Sequence, residues 1–484
     1  MIVLAQFPYR ANAGTGPLQA TVQLEVNLAQ PKAINPLFFS VTLTVWSIPL
    51  LDGDARFAAL TRLLRPNLIR FPAGSTKVYW DRSGKYGWWE APQGYEYSIS
   101  PKVIDNYVRF CRSVGAEPFL QVDMYVNAPD LWADLVRYVN VERGYNVTYW
   151  SMGNEPTSVG DYTKQFGKYV AAMKSVDPTI KLSALEFAGI SSTVAESFAS
   201  QYGKDIFILA EHHYPLGGED LDPSRADYPT IENLLRFNSP NQPWAGINFV
   251  EQFAPALLGV RDKYFPNGLV GITEWGPSYG LTSADNPTTD SMSTALWLAD
   301  TIGRFGKSGI DLFCYWALSQ PNWSTFKDAL FSHSENPNPY LVDLVRAQYY
   351  AFLMYRQWWG DHWLRTSTTD DGQLSIWASM RDEHIFIMVV NKQLTSDTTA
   401  NVAIGASLST VKTYVLDSDS YTSTAASING ITIDLSNPTT IADSIARMES
   451  TTSPAASNFA YTFPAHSVTV FDFTLQGTLV VTRR

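Results

Sequence analysis

The sequence predicts an α/β protein: an eight-stranded (β/α)8 TIM barrel with a C-terminal antiparallel β-sandwich, joined by an N-terminal strand. Three observations carry this. Eight short apolar runs alternate with helical patterns between about residues 37 and 316, the signature of a closed parallel barrel. After about residue 366 the texture changes to short strands separated by Ser- and Thr-rich turns. Two of the apolar runs end on a glutamate with Pro or Gly close behind it.

At 484 residues the chain is too long for one core. The expected division is 1–34 as an N-terminal strand segment, 35–366 as the catalytic barrel and 367–484 as the sandwich. Residues 17–34 alternate as a strand does, with Ala20, Val22, Leu24 and Val26 against Thr21, Gln23 and Glu25. An eight-stranded barrel has no place for this strand, so it is assigned to the sandwich, tying the two chain ends together.

Barrel strands follow at 37–44, 68–71, 118–123, 147–152, 180–185, 206–210, 269–273 and 311–316. Pro72-Ala73-Gly74 stops the second of them. Helical patterns lie between several, as at 101–114 and 161–175. In the sandwich, strands are expected at 374–379, 385–391, 400–404, 411–416, 431–435 and 467–474. The sequence shows no internal repeat.

Composition excludes more than it selects. The net charge of −11, with no basic run, argues against a nucleic-acid partner, which needs a clustered positive face. No segment reaches the roughly 18 apolar residues of a membrane span. Aromatic residues make up 13% of the chain, with 15 Trp and 25 Tyr. Flat rings suit sugar-binding clefts and dense cores equally. Cys111 and Cys314 are read as buried free thiols. The expected location is extracellular, although the apolar stretch Met1–Phe7 is too short for a signal peptide. Sequons stand at Asn146 and Asn322.

The chemistry is sought where the strands end. Glu155 lies in Trp150-Ser151-Met152-Gly153-Asn154-Glu155-Pro156, and Glu274 in Gly271-Ile272-Thr273-Glu274-Trp275-Gly276. They stand roughly 120 residues apart, about three βα units of 30 to 40 residues, which places them on strands four and seven. Carboxylates at the C-terminal ends of buried parallel strands are where such a barrel keeps its catalytic groups. Glycosidic bond cleavage needs two of them.

Other candidates surround them. Arg70 interrupts the apolar second strand, where an unpaired guanidinium would be costly, and would support an ionised carboxylate. A structural ion pair is the alternative. Tyr214 is placed to offer its hydroxyl to Glu274. His212 shares its parity and points the same way, while His213 points away. Trp316 ends strand eight and is a candidate floor for a sugar. Trp46, Trp80 and Trp275 also stand at strand ends, each with a core role as the alternative. Trp88 and Trp89 lie in a Tyr- and Gly-rich loop suited to outer subsites. Asp123 ends strand three, either holding a sugar hydroxyl or capping the next segment. Glu186 and Glu211 rank behind the first two glutamates. No cluster has metal-ligand spacing and no glycine-rich phosphate loop occurs, so no metal or cofactor is expected.

These segments resemble clan A of the glycoside hydrolases, the retaining enzymes built on a (β/α)8 barrel. The resemblance rests on Gly153-Asn154-Glu155-Pro156, Thr273-Glu274-Trp275-Gly276 and His212-His213-Tyr214-Pro215. Ile69-Arg70-Phe71-Pro72-Ala73-Gly74 with Tyr79-Trp80-Asp81 is similar to the strand-two segment of arabinofuranosidases, which usually carry Pro-Gly-Gly. Pro464-Ala465-His466-Ser467 is similar to the closing strand of the sandwich in several such families. The sandwich fed from both termini is similar to those of the arabinofuranosidases, β-xylosidases, heparanase-like glucuronidases and certain endoglucanases. The resemblance implies that Glu155 is the acid/base and Glu274 the nucleophile of a retaining hydrolase, with Asn154 on the sugar 2-hydroxyl. On this reading the partner is a carbohydrate. A silent carbohydrate-binding protein and a transglycosylase are the competing readings.

Overall fold

The computed structural model describes residues 22–74, 77–237, 244–280, 282–283, 286–322, 327–334 and 340–477. The start of the expected N-terminal strand, 17–21, lies outside these residues, as does most of the Asn322 sequon.

Eight parallel strands close into a barrel. In chain order they are Phe39–Thr44, Leu68–Ala73, Glu117–Val122, Tyr149–Met152, Lys181–Ala188, Ile206–His213, Leu269–Trp275 and Leu312–Tyr315. Each overlaps a run expected from the sequence. Their residues are buried almost throughout because helices cover one face and the barrel interior the other. The second helix, Pro101–Val114, starts on a proline and stops at Gly115 in the left-handed conformation, so both of its ends are written locally.

The second unit is one continuous sheet of ten strands that folds over a core of its own. The rings of Phe459 and Tyr461, on an edge strand at Asn458–Phe463, meet Phe471 at 5.6 and 5.0 Å. Phe471 stands on Ser467–Leu475, several strands away along the ladder, so the sheet closes like a sandwich. The strand Val22–Ala33 runs antiparallel to His362–Thr368 and parallel to Thr398–Ile404. It thus joins the sheet rather than the barrel, and the ladder is antiparallel except at this one pair. The strand His362–Thr368 spans position 366.

One expected strand is absent. Residues 431–435 form a turn and loop instead, in which the Ile433 N–H donates to the Tyr350 hydroxyl on a barrel helix at 2.9 Å. A helix that the sequence reading lacked follows at Pro438–Met448, capped by Asn437.

The strand His384–Asn391 shows how the two units dock. Ile385, Ile387 and Val389 face the sheet's own core, while Phe386, Met388 and Val390 face the barrel's. The barrel helix Met292–Ser308 lies against this face. A Cβ on Gly303 would come within 2.1 Å of Trp377, and one on Gly306 within 2.3 Å of Trp363. Both positions need glycine for that close approach. Cys111 and Cys314 are buried and unpaired. No helix among the described residues is long and apolar enough to cross a membrane.

Candidate active site

The C-terminal mouth of the barrel gathers charge from five strands. Arg70, fully buried on the second strand, is its hub. Its Nη1 donates to Glu274 Oε2 at 3.0 Å, its Nη2 to Asn154 Oδ1 at 2.7 Å and its Nε to Ser151 Oγ at 3.2 Å. Glu186 Oε2 lies 3.7 Å from the same guanidinium. The Tyr214 hydroxyl donates to Glu274 Oε1 at 2.7 Å. Glu274 therefore receives a donor on each oxygen.

His212 sits between carboxylates. Its Nδ1 lies 3.1 Å from Glu155 Oε1 and its Nε2 3.2 Å from Glu186 Oε2. Burial opposes a charge there, but Glu274, Glu155 and Glu186 outweigh it and push the imidazole up to about 9. Glu186 is fully buried and also accepts from Thr273 Oγ1 at 2.6 Å and Ser183 Oγ at 2.5 Å. Burial works against its charge as well. Arg70, His212 and Ser183 prevail and hold it down to about 2.

The backbone at this mouth is strained. Glu155, Leu185 and Glu186 have φ of 44, 82 and 49°, in the left-handed region that non-glycine residues rarely occupy. The Glu155 N–H donates to the Glu186 carbonyl at 2.8 Å, and the Tyr125 hydroxyl donates to the Glu155 carbonyl at 2.5 Å. Both contacts hold the turn that carries Glu155.

One oxygen of Glu155, one of Glu274 and a ring nitrogen of His212 all lie within 4.8 Å of one another. The sequence showed no metal-ligand cluster because these residues come from three separate strands. A metal ion could use such spacing, yet the space already faces two cations, Arg70 and protonated His212.

The two glutamates differ in exposure. The Glu155 side chain is 39% exposed and that of Glu274 is 7%. Burial and the charge of Glu155 push Glu274 above the ordinary carboxylate value, against the pull of His212, Arg70 and Tyr214. For Glu155, burial is outweighed by the His212 bond and the charges of His212 and Arg70, which hold it below that value. The roles implied by the resemblance, acid/base at 155 and nucleophile at 274, call for the opposite order. The reason for the observed order is His212, which bonds to Glu155. Groups this close titrate as a pair.

Trp46, Gly74, Glu96, Asn154, Glu155, Tyr214, Glu274, Ser278, Tyr279 and Trp316 line a cleft of about 260 Å³ above these groups. A groove of about 800 Å³ along Glu25–Ala29 and Arg365–Ser367 is larger, but it lies on the sheet, away from this cluster.

The structure thus brings together Glu155, Glu274, Asn154, Arg70, Tyr214, His212 and Trp316. It leaves two expected site residues elsewhere. Trp80 is fully buried, with its Nε1 donating to Asp134 Oδ2 at 3.0 Å and its ring 5.3 Å from Tyr138. It is a core indole, packed and hydrogen-bonded away from the cleft. Asp123 does not line the cleft. Its Oδ1 accepts the Tyr125 N–H at 2.6 Å, capping the next turn, and burial pushes its carboxyl up to about 7. Trp275 is likewise core, 4.9 Å from Trp297. Glu211 is buried outside the cluster and pushed up to about 8 by burial. His213 accordingly points away, stacked on Phe249 at 3.6 Å with Nε2 2.9 Å from the Trp244 carbonyl oxygen.

Glu96 and Tyr279 were missed as cleft residues. Neither ends a barrel strand, and no pattern in the sequence marks them.

The fold and the carboxylate-rich mouth define a class: a barrel-and-sandwich architecture shared with glycoside hydrolases. The GH51 arabinofuranosidase from Xanthomonas axonopodis pv. citri superposes over 94% of this chain and 100% of its own, with a TM-score of 0.68 at 14% identity. The thermostable GH51 α-L-arabinofuranosidase from Thermotoga petrophila RKU-1 covers 93% and 100%, with a TM-score of 0.67 at 14% identity. A Paenibacillus polymyxa xyloglucanase of glycoside hydrolase family 44 covers 94% and 100%, at 0.62 and 13%. In sequence, α-L-arabinofuranosidase C of Emericella nidulans is 32% identical over 101 residues, which are 16% of this chain and 20% of that protein's length. No family model matches the chain.

Proposed function

We propose that this protein is a retaining glycoside hydrolase acting on an oligo- or polysaccharide, with Glu274 as nucleophile and Glu155 as acid/base. One observation carries the reading: carboxyl oxygens of Glu155 and Glu274 within 4.8 Å of each other at the mouth of the barrel. Retaining enzymes hold their two carboxyls about 5 to 5.5 Å apart, whereas inverting ones leave about 6.5 to 9.5 Å for a water. The shared architecture of arabinofuranosidases and a xyloglucanase supports the same class. Extracellular action fits a polymeric substrate.

The geometry divides the labour. Arg70 and Tyr214 fix both oxygens of Glu274, leaving it to present one of them to the anomeric carbon. Attack forms a glycosyl ester and breaks the bond to the leaving oxygen, which takes its proton from Glu155. In the second step Glu155 accepts a proton from water. The water oxygen bonds to the anomeric carbon, and the Glu274 carboxylate departs. Glu155 must carry the proton at the outset. A sugar that covers its exposed side chain removes water from it and raises it relative to Glu274. Asn154, fixed by Arg70, stands beside the acid to meet the sugar 2-hydroxyl.

The test is a panel of nitrophenyl glycosides and polysaccharides, with proton NMR of the first-formed anomer. Turnover with retained configuration is expected. A first-formed inverted anomer overturns double displacement, and no turnover on any member favours a silent binding protein. Addition of acceptor sugars separates hydrolysis from transglycosylation.

A further inference from the structure

A row of aromatic side chains leaves the cleft on its Trp46 side and ends in open water. Trp46 lines the cleft, and its Nε1 donates to the Tyr97 hydroxyl at 3.3 Å. Tyr97 follows the cleft residue Glu96 in sequence. Its ring is nearly parallel to that of Trp88, at 6.3 Å and 11°. Trp88 meets Trp89 edge-on at 5.4 Å. At 62%, Trp89 is the most exposed large hydrophobic side chain among the described residues.

Trp89 is held in place. A Cβ built on Gly87 would lie 3.4 Å from its Cε2 and Cζ2, so the ring packs against the backbone there while most of the residue stays exposed. The turn beneath it is pinned twice. The Glu90 N–H donates to the Gly87 carbonyl at 2.9 Å, and the Gly87 N–H donates to Glu90 Oε2 at 3.3 Å. A single exposed apolar residue is ordinary. A pinned indole that continues an aromatic row out of a sugar-sized cleft is a platform, because the apolar C–H face of a sugar ring covers a flat aromatic surface while its hydroxyls stay in water.

We propose that Trp89, backed by Trp88 and Tyr97, is an outer binding site for a sugar ring of a chain substrate, at least one unit beyond the bond cut between Glu155 and Glu274. The occupant is the main chain of a polysaccharide, and the site makes the enzyme prefer chains over small glycosides. The proposal rests on the glycosidase reading above for its position along the substrate.

Trp89→Ala and Trp89→Phe test it. On arabinoxylan, xyloglucan and xylo- or cello-oligosaccharides of two to six units, Trp89→Ala should raise KM roughly 3- to 10-fold, with Trp89→Phe between it and the parent. On a nitrophenyl monoglycoside, too short to reach Trp89, the change should stay under about twofold. Equal losses on long and short substrates, or no loss on long ones, overturn the platform. Binding to Glu274→Gln, read by tryptophan fluorescence, keeps the two proposals separable. If the parent cleaves nothing, the glycosidase reading falls. The platform then stands only if Glu274→Gln binds an oligosaccharide and adding Trp89→Ala weakens that binding. Absence of binding, or unchanged affinity, overturns it.

Discussion

The molecule gathers clusters of opposite charges in two places. At the barrel mouth, Arg70 and His212 face Glu155, Glu186 and Glu274. Where the barrel helix Met292–Ser308 meets the sheet, Arg304 and Lys392 face Glu251, Asp300 and Asp371. At the mouth two cations meet three carboxylates; at the interface Lys307 joins as a third cation, 3.2 Å from Glu251. Arg304 spans its cluster as Arg70 does, bonding Asp371 through both Nη atoms at 2.8 and 3.1 Å and Asp300 at 3.1 Å.

The difference lies in what can titrate and what can be reached. At the interface Arg304 and Lys392 are both strong bases, and Lys392 is shut from water. Burial, with the charge of Arg304 adding to it, pulls Lys392 below the usual ammonium value, and Arg304 and Lys392 hold Asp371 down despite its burial. At the mouth one cation is a histidine, one carboxylate is pushed up, and Glu155 is more exposed than any carboxylate of the interface cluster. An interface cluster of this kind specifies how two units dock. On the proposed reading, the mouth cluster passes a proton.

Substitutions should separate the two clusters, and the largest effect is expected at Glu274. Glu274→Ala should cut turnover on the order of 10⁴-fold or more while leaving the protein folded. Azide should restore part of the activity with inverted product, since a small anion fits the space of the carboxylate. Near-full activity in the variant would erase the distinction between the clusters.

Arg304→Ala should act the other way. It leaves Asp300 and Asp371 to Lys392 alone, at a cost of about 3 to 5 kcal/mol in denaturant unfolding. Protein that remains folded should keep the parent kcat. A loss of kcat in folded protein would show that the interface feeds the chemistry.

Glu155→Ala should lose roughly 10²- to 10⁴-fold on glycosides with poor leaving groups and far less on activated aryl glycosides, which need no proton. Equal losses on both would remove Glu155 from the acid role.

The smallest effect is expected at Glu186, which touches His212 and Arg70 rather than the cleft. Glu186→Gln removes a negative charge from His212, so the imidazolium should lose its proton at a lower pH. The His212 resonance should titrate near 9 in the parent and lower in the variant, and the alkaline limb of the pH–rate profile should move with it. The stability linkage has the same sign. A histidine raised from 6.5 to about 9 contributes stability that is complete below 6.5 and is lost as pH rises through 9. The variant should lose less stability across that window than the parent. An unmoved His212 titration would reduce Glu186 to a packing residue.

Much of the site was legible before any fold. A guanidinium inside the apolar strand Leu68–Ala73 had to be paired, and it is paired with the glutamate of strand seven. Strand parity separated Tyr214 and His212, which face the cluster, from His213, which stacks on Phe249. Tryptophans at strand ends were not separable in this way. Trp316 and Trp46 line the cleft and Trp80 and Trp275 fill the core, because an indole satisfies either place and only its neighbours choose. The edge strand Asn458–Phe463 did carry an alternation, Phe459, Tyr461 and Phe463, which the sequence reading passed over. The helix Pro438–Met448 did carry a signal, an Asn cap followed by proline, which the apolar alternation at 431–435 overshadowed.

By itself, the sequence determined the parallel barrel, the sheet that both chain ends build, and the two strand ends that carry Glu155 and Glu274. These follow from short-range periodicity and turn chemistry, which act on neighbours along the chain. The tertiary structure decided what no local pattern encodes. It placed His212 between Glu155 and Glu186, which holds Glu155 below the ordinary carboxylate value. It also sent Asp123 to cap a turn and raised a pinned indole at Trp89 beyond the cleft. Protonation and access depend on distances between strands far apart in sequence, and those distances exist only once the barrel has closed.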